Sequence, residues 1–291
     1  MKQPPQFDYC LSEIEHDRLW ARVQSQFGWQ PHGSTPLWLN GLPLGYLNEK
    51  WRQLVQQDWR GSVQESADGL RLETENWLQM ADNLQNMAQN WSRIGQLDGW
   101  RNEKFDVTDA DGRALFSLER AAFRPLGLLS NAIHINGLTD SGGEWQFWIG
   151  RRSPYKAVDP NKLDNLVGGG VASGEQIREA MLREGAEEAG LSEAQLQHAE
   201  RCGCRLSIRP VSRGLHREVL HIFDVVLPAG LVPENQDGEV AGFMLMPPHE
   251  LAQAMAEGRL MNDALLATLD AFARYGLLDS AHPLTQWLAE S

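Results

Sequence analysis

The chain has 291 residues, 42% hydrophobic and 22% charged, with apolar and polar positions interspersed, so it is long enough for two domains and unlike a disordered chain. Its formal net charge of -13, with no local run of Lys or Arg to offset it, argues against general nucleic-acid binding. No apolar run approaches the roughly 18–20 residues of a membrane span and the opening residues lack a signal-peptide core, so a cytoplasmic protein away from membranes is expected, with Cys10, Cys202 and Cys204 as reduced structural thiols.

In chain order, "LSEIEHDRLWARVQSQF" predicts an amphipathic helix, and "LWLNGLPLGYL" predicts two short apolar runs around an Asn-Gly turn. Helices are predicted over "NEKWRQLVQQ" and "ETENWLQMADNLQNMAQNW". Eight of the 11 tryptophans precede residue 125 and only Trp145, Trp148 and Trp287 follow it, which points to two separately built cores. The boundary falls at Pro125. Residues 1–125 are expected to form a smaller α+β front domain of unknown role, with no nucleophile-base pair, metal cluster or phosphate loop; its tryptophans are expected to pack a core.

In residues 126–291, "NAIHINGLT" and "EWQFWIGRRS" flank a Ser-Gly-Gly turn as a hairpin, followed by a glycine-rich loop that runs into a helix. The stretches "REVLHIFDVVLP" and "EVAGFMLMPP" follow as strands, and the helices "PHELAQAMAEGR" and "NDALLATLDAFARYGLL" close the chain. This is the order of an α+β sandwich rather than of a regular βαβ repeat.

The helix after the glycines carries Glu184, Glu187 and Glu188, which helical spacing places within an arc of roughly 100°. Leu182, Ala186 and Ala189 fall opposite, so the helix is expected to bury that side and present a purely acidic one. Like charges at these spacings cost about 0.2–0.5 kcal/mol per pair, which hard divalent cations would offset. Mg²⁺ binds carboxylate oxygens and bridges to phosphates, and Gly168, Gly169 and Gly170 would let backbone approach an ion or phosphate, with Gly174 turning the chain into the helix. A solvated acidic helix after an ordinary glycine turn is the alternative.

The full spacing decides between them. Gly169, Glu175, Arg183, Glu184, Glu187, Glu188, Gly190 and Leu191 match G-x5-E-x7-R-E-U-x-E-E-x-G-U, with U apolar, and the chain thereby resembles the Nudix (MutT-like) hydrolases. Gly185 departs from the pattern, standing at the first U at a helix-propensity cost of about 1 kcal/mol. The stretches "NGLPLGYL", "LERAAFRPLG", "RRSPYKAVDPNKLDNLVGGG", "HREVLHIFDVVLP", "QDGEVAGF" and "ALLATLDAFARYGLL" are similar to the Nudix subfamily related to thiamine pyrophosphokinase, whose members carry an extra front domain.

The resemblance implies an α/β/α sandwich around a mixed sheet, and hydrolysis of a small organic diphosphate, thiamine diphosphate or a damaged analogue, by metal-activated water. It implies that Glu184, Glu187 and Glu188 with the Gly169 carbonyl hold Mg²⁺ or Mn²⁺, and that Arg183 and Glu175 form a supporting pair. Candidate general bases are Glu184, Glu218, Glu234, Asp237 and Glu239. Arg151, Arg152 and Lys156 are candidates to grip the distal phosphate, Gly170 to approach the substrate, and Asp164 and Asn165 to orient the loop or a ligand. A nucleotide or nucleotide-sugar substrate and a non-catalytic ligand sensor remain alternatives; a homodimer is among the open assembly states.

Overall fold

The computed structural model describes residues 5–156 and 158–290. Among these, helix α1 (Glu13–Phe27) leads into the strands β1 (Thr35–Leu39) and β2 (Leu42–Leu47), helix α2 (Glu49–Asp58), the strands β3 (Ser62–Ser66) and β4 (Gly69–Glu73), helix α3 (Trp77–Arg93), the strands β5 (Lys104–Thr108) and β6 (Ala114–Glu119), and the short helix α4 (Phe123–Leu126). The second half runs β7 (Ser130–Ser141), β8 (Glu144–Arg152), β9 (Leu163–Asp164), β10 (Val167–Gly170), α5 (Ile177–Ala189), α6 (Glu193–Leu196), β11 (Arg201–Val211), β12 (Gly214–Val226), β13 (Val240–Met246), α7 (Pro248–Ala256), α8 (Asn262–Arg274) and α9 (Pro283–Glu290).

The local signals explain most of the front half. Asn40 and Gly41 take positive φ of 44° and 82°, which a tight hairpin turn requires, so the two apolar runs pair as β1 and β2. Asn48 and Asn76 accept the Trp51 and Gln79 backbone N–H groups and cap α2 and α3. The expected third helix therefore starts later than "ETEN": Glu73 ends a strand and Asn76 is the cap. Strands β3 to β6 were not expected; each is only five or six residues long, although β5 and β6 alternate and turn Phe105, Val107, Phe116 and Leu118 into the core. Trp51, Trp59 and Trp91 are buried as core with Leu37, Leu70 and Phe105.

The second half is an α/β/α sandwich on a mixed sheet ordered β11-β12-β7-β8-β13, with β10 beside β7 and β9 beside β8; β12 runs parallel to β7 and the other pairs antiparallel. Side chains alternate across it. Ile133 and Ile135 pack against Met181 and Ala189 of α5, while Ala132, Leu220 and Ile222 pack against Leu266 and Ala267 of α8. Two expectations change here. The glycine triplet is a strand, with Gly168, Gly169 and Gly170 paired to His134, Ile133 and Ala132, and a third helix, α9, follows the two expected to close the chain.

Helix α1 does not pack with the residues that follow it. Its buried Leu19 and Val23 join Phe147, Leu251 and Phe272 in the second-half core. The two halves also meet through a side chain: the Arg217 guanidinium on β12 donates to the Leu44 carbonyl at 3.1 Å and, within the second half, to that of Gly127 at 2.9 Å. No helix of the described residues is long and apolar enough to cross a membrane.

Candidate active site

Helix α5 begins after Gly174, whose φ of 77° turns the chain, and ends at Gly190, φ 64°, in a left-handed cap. Its buried positions are Ala180, Met181, Gly185, Glu188 and Ala189, whereas Ala186 is exposed. Ala189 is buried and Leu182 packs on the core as expected, but Ala186 faces out and Glu188 is buried, so the acidic side is not uniformly presented. Strand β10 lies against it, and only glycine permits the approach: a Cβ on Gly169 would fall 2.0 Å from Cδ of Glu184. Gly168 donates its N–H to Oε2 of Glu188 at 2.9 Å. Gly185 has a packing reason as well, since a Cβ there would fall 2.5 Å from Cδ1 of buried Leu196.

Arg183 ties the helix to the turn before it. Its Nε and Nη2 donate to the two carboxylate oxygens of Glu175 at 2.7 and 2.9 Å, Nη2 also reaches the Gly170 carbonyl at 3.2 Å, and Nη1 donates to Glu184 at 2.7 Å and Glu187 at 3.2 Å. The hydrogen bonds to Glu175, then the charge of Glu184, raise the Arg183 pKa. Burial works to raise Glu175, but its bonds from Arg183 and the Ala172 N–H hold it below the usual range.

Glu188 has no such cation in contact. Burial pushes its carboxyl up to about 8; the Gly168 N–H and, more weakly, the charge of Lys156 oppose this, and the charges of Glu184 and Asp164 add to it. Burial also raises Glu184, against Arg183. The loop before β13 adds two acids, because ligand oxygens of Glu188, Asp237 and Glu239 lie within 4.8 Å of one another. Lys156 pairs with Glu239, and Arg101 approaches Glu239 at 3.8 Å.

These groups face a cavity of about 320 Å³ at the junction of the two halves. The front half, to which no chemistry was assigned from sequence, supplies part of its wall: Arg101, Phe105, Arg120 and Arg124. The Phe105 ring covers Gly170, where a Cβ would fall 2.6 Å from Cζ. Asp106 accepts from Oγ of Ser173 at 2.6 Å and from the Gly174 N–H at 2.8 Å, so β5 holds the turn that leads into α5.

Of the residues singled out in the sequence, Gly169, Gly170, Arg183, Glu184, Glu187, Glu188, Arg152, Lys156, Asp164, Asp237 and Glu239 come together on this cavity, and Glu175 stands behind it on Arg183. Arg151 and Glu234 are exposed and do not line it. Asn165 is buried instead in a network that fixes the strands: it donates to Asn136 and Thr268 at 2.9 and 3.0 Å and meets Nδ1 of His134 at 2.8 Å. Arg152 is held by Asp164 at 2.9 Å. Glu218 lines the far end, where Ser130 donates to it at 2.7 Å and His216 and Asp263 lie within reach. Arg209 binds both oxygens of Asp263 at 2.6 and 2.9 Å, so this second acidic group already has its cation.

A NUDIX domain model matches residues 129–265. Nudix hydrolase 24, chloroplastic, of Arabidopsis thaliana is 38% identical over 192 residues, 65% of this chain and 52% of the relative. Nudix hydrolase 20, chloroplastic, of the same plant is 34% identical over 186 residues, 63% of this chain and 50% of the relative. A crystal structure of a Deinococcus radiodurans protein, 23% identical, covers 58% of this chain and 98% of its own with a TM-score of 0.43. The chain spans about half the length of the curated relatives it matches. A mixed-sheet sandwich with a glutamate helix laid on a glycine strand is the class the fold defines. Residues 129–265 are a NUDIX domain, and Nudix hydrolases are among the homologues of the chain.

Proposed function

We propose that the chain is a divalent-metal-dependent diphosphatase of a small organic diphosphate, thiamine diphosphate or a damaged analogue of it. The observation that carries the reading is the packing of Glu184 and Glu188 on the glycine strand, with Arg183 and Glu175 fixing the turn beside them. Glu184, Glu187, Glu188 and the Gly169 carbonyl are all oxygen donors, which suits Mg²⁺ or Mn²⁺. The high pKa of buried Glu188 points the same way, because a carboxylate kept from water without a contacting cation is favoured by binding one. Such an ion supplies charge neutralisation of the diphosphate and a water of lowered pKa.

The protein's own groups divide the remaining work. Arg183 holds Glu184 and Glu187 to the turn, so the donor oxygens start from fixed positions. Glu239, beside Asp237 and close to Glu188, is the candidate to take the proton of the attacking water, with Lys156 balancing its charge. Phe105 and His134 flank the glycine strand and limit the water around the substrate.

The subfamily likeness of the front stretches favours thiamine-type substrates over nucleotides. The test is turnover of thiamine diphosphate, its oxidised analogues and nucleoside diphosphates, read as released phosphate, and of nucleotide sugars, read as nucleoside monophosphate and sugar phosphate, with Mg²⁺ or Mn²⁺ and with chelator. Turnover confined to nucleotides overturns the substrate assignment, and turnover that survives chelation overturns the mechanism.

A further inference from the structure

Most cations on the cavity already have partners. Arg152 is bound by Asp164 at 2.9 Å, Lys156 by Glu239, and Arg120 by Glu103 at 2.7 Å. The side chains of Arg124 and Arg213 line the same cavity and make no hydrogen bond or ion pair among the described residues; Glu218, already bound by Ser130, and Asp98 act on them only through their charge. In a chain of net charge -13, two guanidiniums left facing a cavity are an exception that calls for an anion.

Both are set in place by rigid backbone. Arg124 sits on α4, between buried Phe123 and Pro125. Arg213 sits at the tip of the β11–β12 hairpin, where its carbonyl accepts the indole N–H of buried Trp51 at 2.8 Å. The next residue, Gly214, has φ 139°, and a Cβ there would fall 2.1 Å from the Arg124 carbonyl oxygen, so the hairpin tip is pressed against α4. Gly99, φ 82°, leaves room on the other side, with Nη1 of Arg213 3.0 Å from where its Cβ would be. Burial, then the guanidiniums of Arg124 and Arg120, push the Arg213 pKa down, and Arg101 adds to this against Asp98. The fold thus holds like charges together at a cost that a bound anion would relieve.

We propose that Arg124 and Arg213 form an anion subsite that takes the terminal phosphate of the substrate across the cavity from the glutamates, so that the front half completes the active site. The identity of the anion rests on the diphosphatase reading; the existence of the subsite does not. Each planar guanidinium can pair with two oxygens of a phosphate monoester. The substrates favoured are therefore organic molecules ending in a free diphosphate, rather than diphosphates esterified at both ends as in nucleotide sugars.

The experiment is calorimetric titration of the full chain with inorganic diphosphate in excess chelator at constant ionic strength. Saturable binding is expected for the wild type. It should be about tenfold to a hundredfold weaker in the Arg124→Gln, Arg213→Gln double variant and unchanged in Arg151→Gln, whose side chain lies outside the cavity. Arg124→Lys and Arg213→Lys, which keep the charge but lose the fork, should fall between, and they stand in if a glutamine variant fails to fold. A wild type that does not saturate at millimolar diphosphate, or a folded double variant that binds as tightly, overturns the subsite. Loss of binding as expected, with no organic diphosphate turned over in Mg²⁺ or Mn²⁺, leaves the subsite standing and removes the diphosphatase reading.

Discussion

Glu188→Gln separates the electrostatic reading of the site from a merely structural one. Glu188 is 5% exposed and accepts the Gly168 N–H at 2.9 Å, and the carbonyl oxygen of glutamine can keep that bond. The metal-free folded protein holds the Glu188 proton up to about pH 8, whereas the unfolded chain releases it near the ordinary glutamate value of 4.5. The group therefore contributes stability that is complete below pH 4.5 and is lost as the pH rises through about 8. At about 1.4 kcal/mol per pH unit in that window the ceiling is roughly 5 kcal/mol, and the effective dielectric of real interiors brings the expected loss to roughly 2–4 kcal/mol. Denaturant unfolding in chelator across this range should show the wild type losing that much relative to the variant. Saturating Mg²⁺ should restore the wild type at the alkaline end and leave the variant unmoved, and turnover should be absent in the variant. Parallel stability curves for the two proteins would refute the buried, cation-seeking carboxylate.

Gly169→Ala places a methyl group where Cδ of Glu184 now lies, so a loss in kcat of about a hundredfold is expected with the fold intact by circular dichroism; full activity would mean that Glu184 works from another position. Asp106→Ala removes two hydrogen bonds to the turn before α5 and should cost about 1 kcal/mol, with faster amide exchange over residues 172–175. Unchanged exchange there would show that β5 does not hold the turn. Asp263→Ala leaves Arg209 buried beside Ser207 without its carboxylate and should cost about 3–5 kcal/mol in denaturant midpoint terms, and a cost under about 1 kcal/mol would contradict the buried pair.

The part of the site that sequence made legible is the part with local spacing. Residues 169–191 hold strand, turn and helix in one stretch, so one pattern marks the donor glutamates and their supporting Arg183–Glu175 pair together. The wheel placed Leu182 and Ala189 rightly but set Ala186 inward and Glu188 outward, because it ranks positions by apolar character. The neighbour is a strand of glycines that offers backbone N–H groups and carbonyls, and against that surface a glutamate is the residue that fits. Strand β11 escaped notice for a related reason. Its alternation is inverted: polar Ser207 and Arg209 are buried and paired with Asp263 across more than fifty positions of chain, while Leu206 faces out at 42% exposure, so the apolar pattern does not mark a core-facing strand.

The contribution of the front half had no local signature at all. An amphipathic helix declares that it packs but not against what, and α1 passes over the residues next to it to bury Leu19 and Val23 with Leu251 and Phe272. Arg124 reads in isolation as one more charged residue beside a proline. Its meaning comes from a hairpin tip about ninety residues later, where Gly214 alone can abut the Arg124 carbonyl and so bring Arg213 beside it. Any side chain at that glycine would separate the two guanidiniums by forcing apart the backbones that carry them. The joint between the halves, and not either half, therefore determines whether the cavity has a cationic wall, and that joint is built from backbone contacts that leave almost no trace in side-chain periodicity.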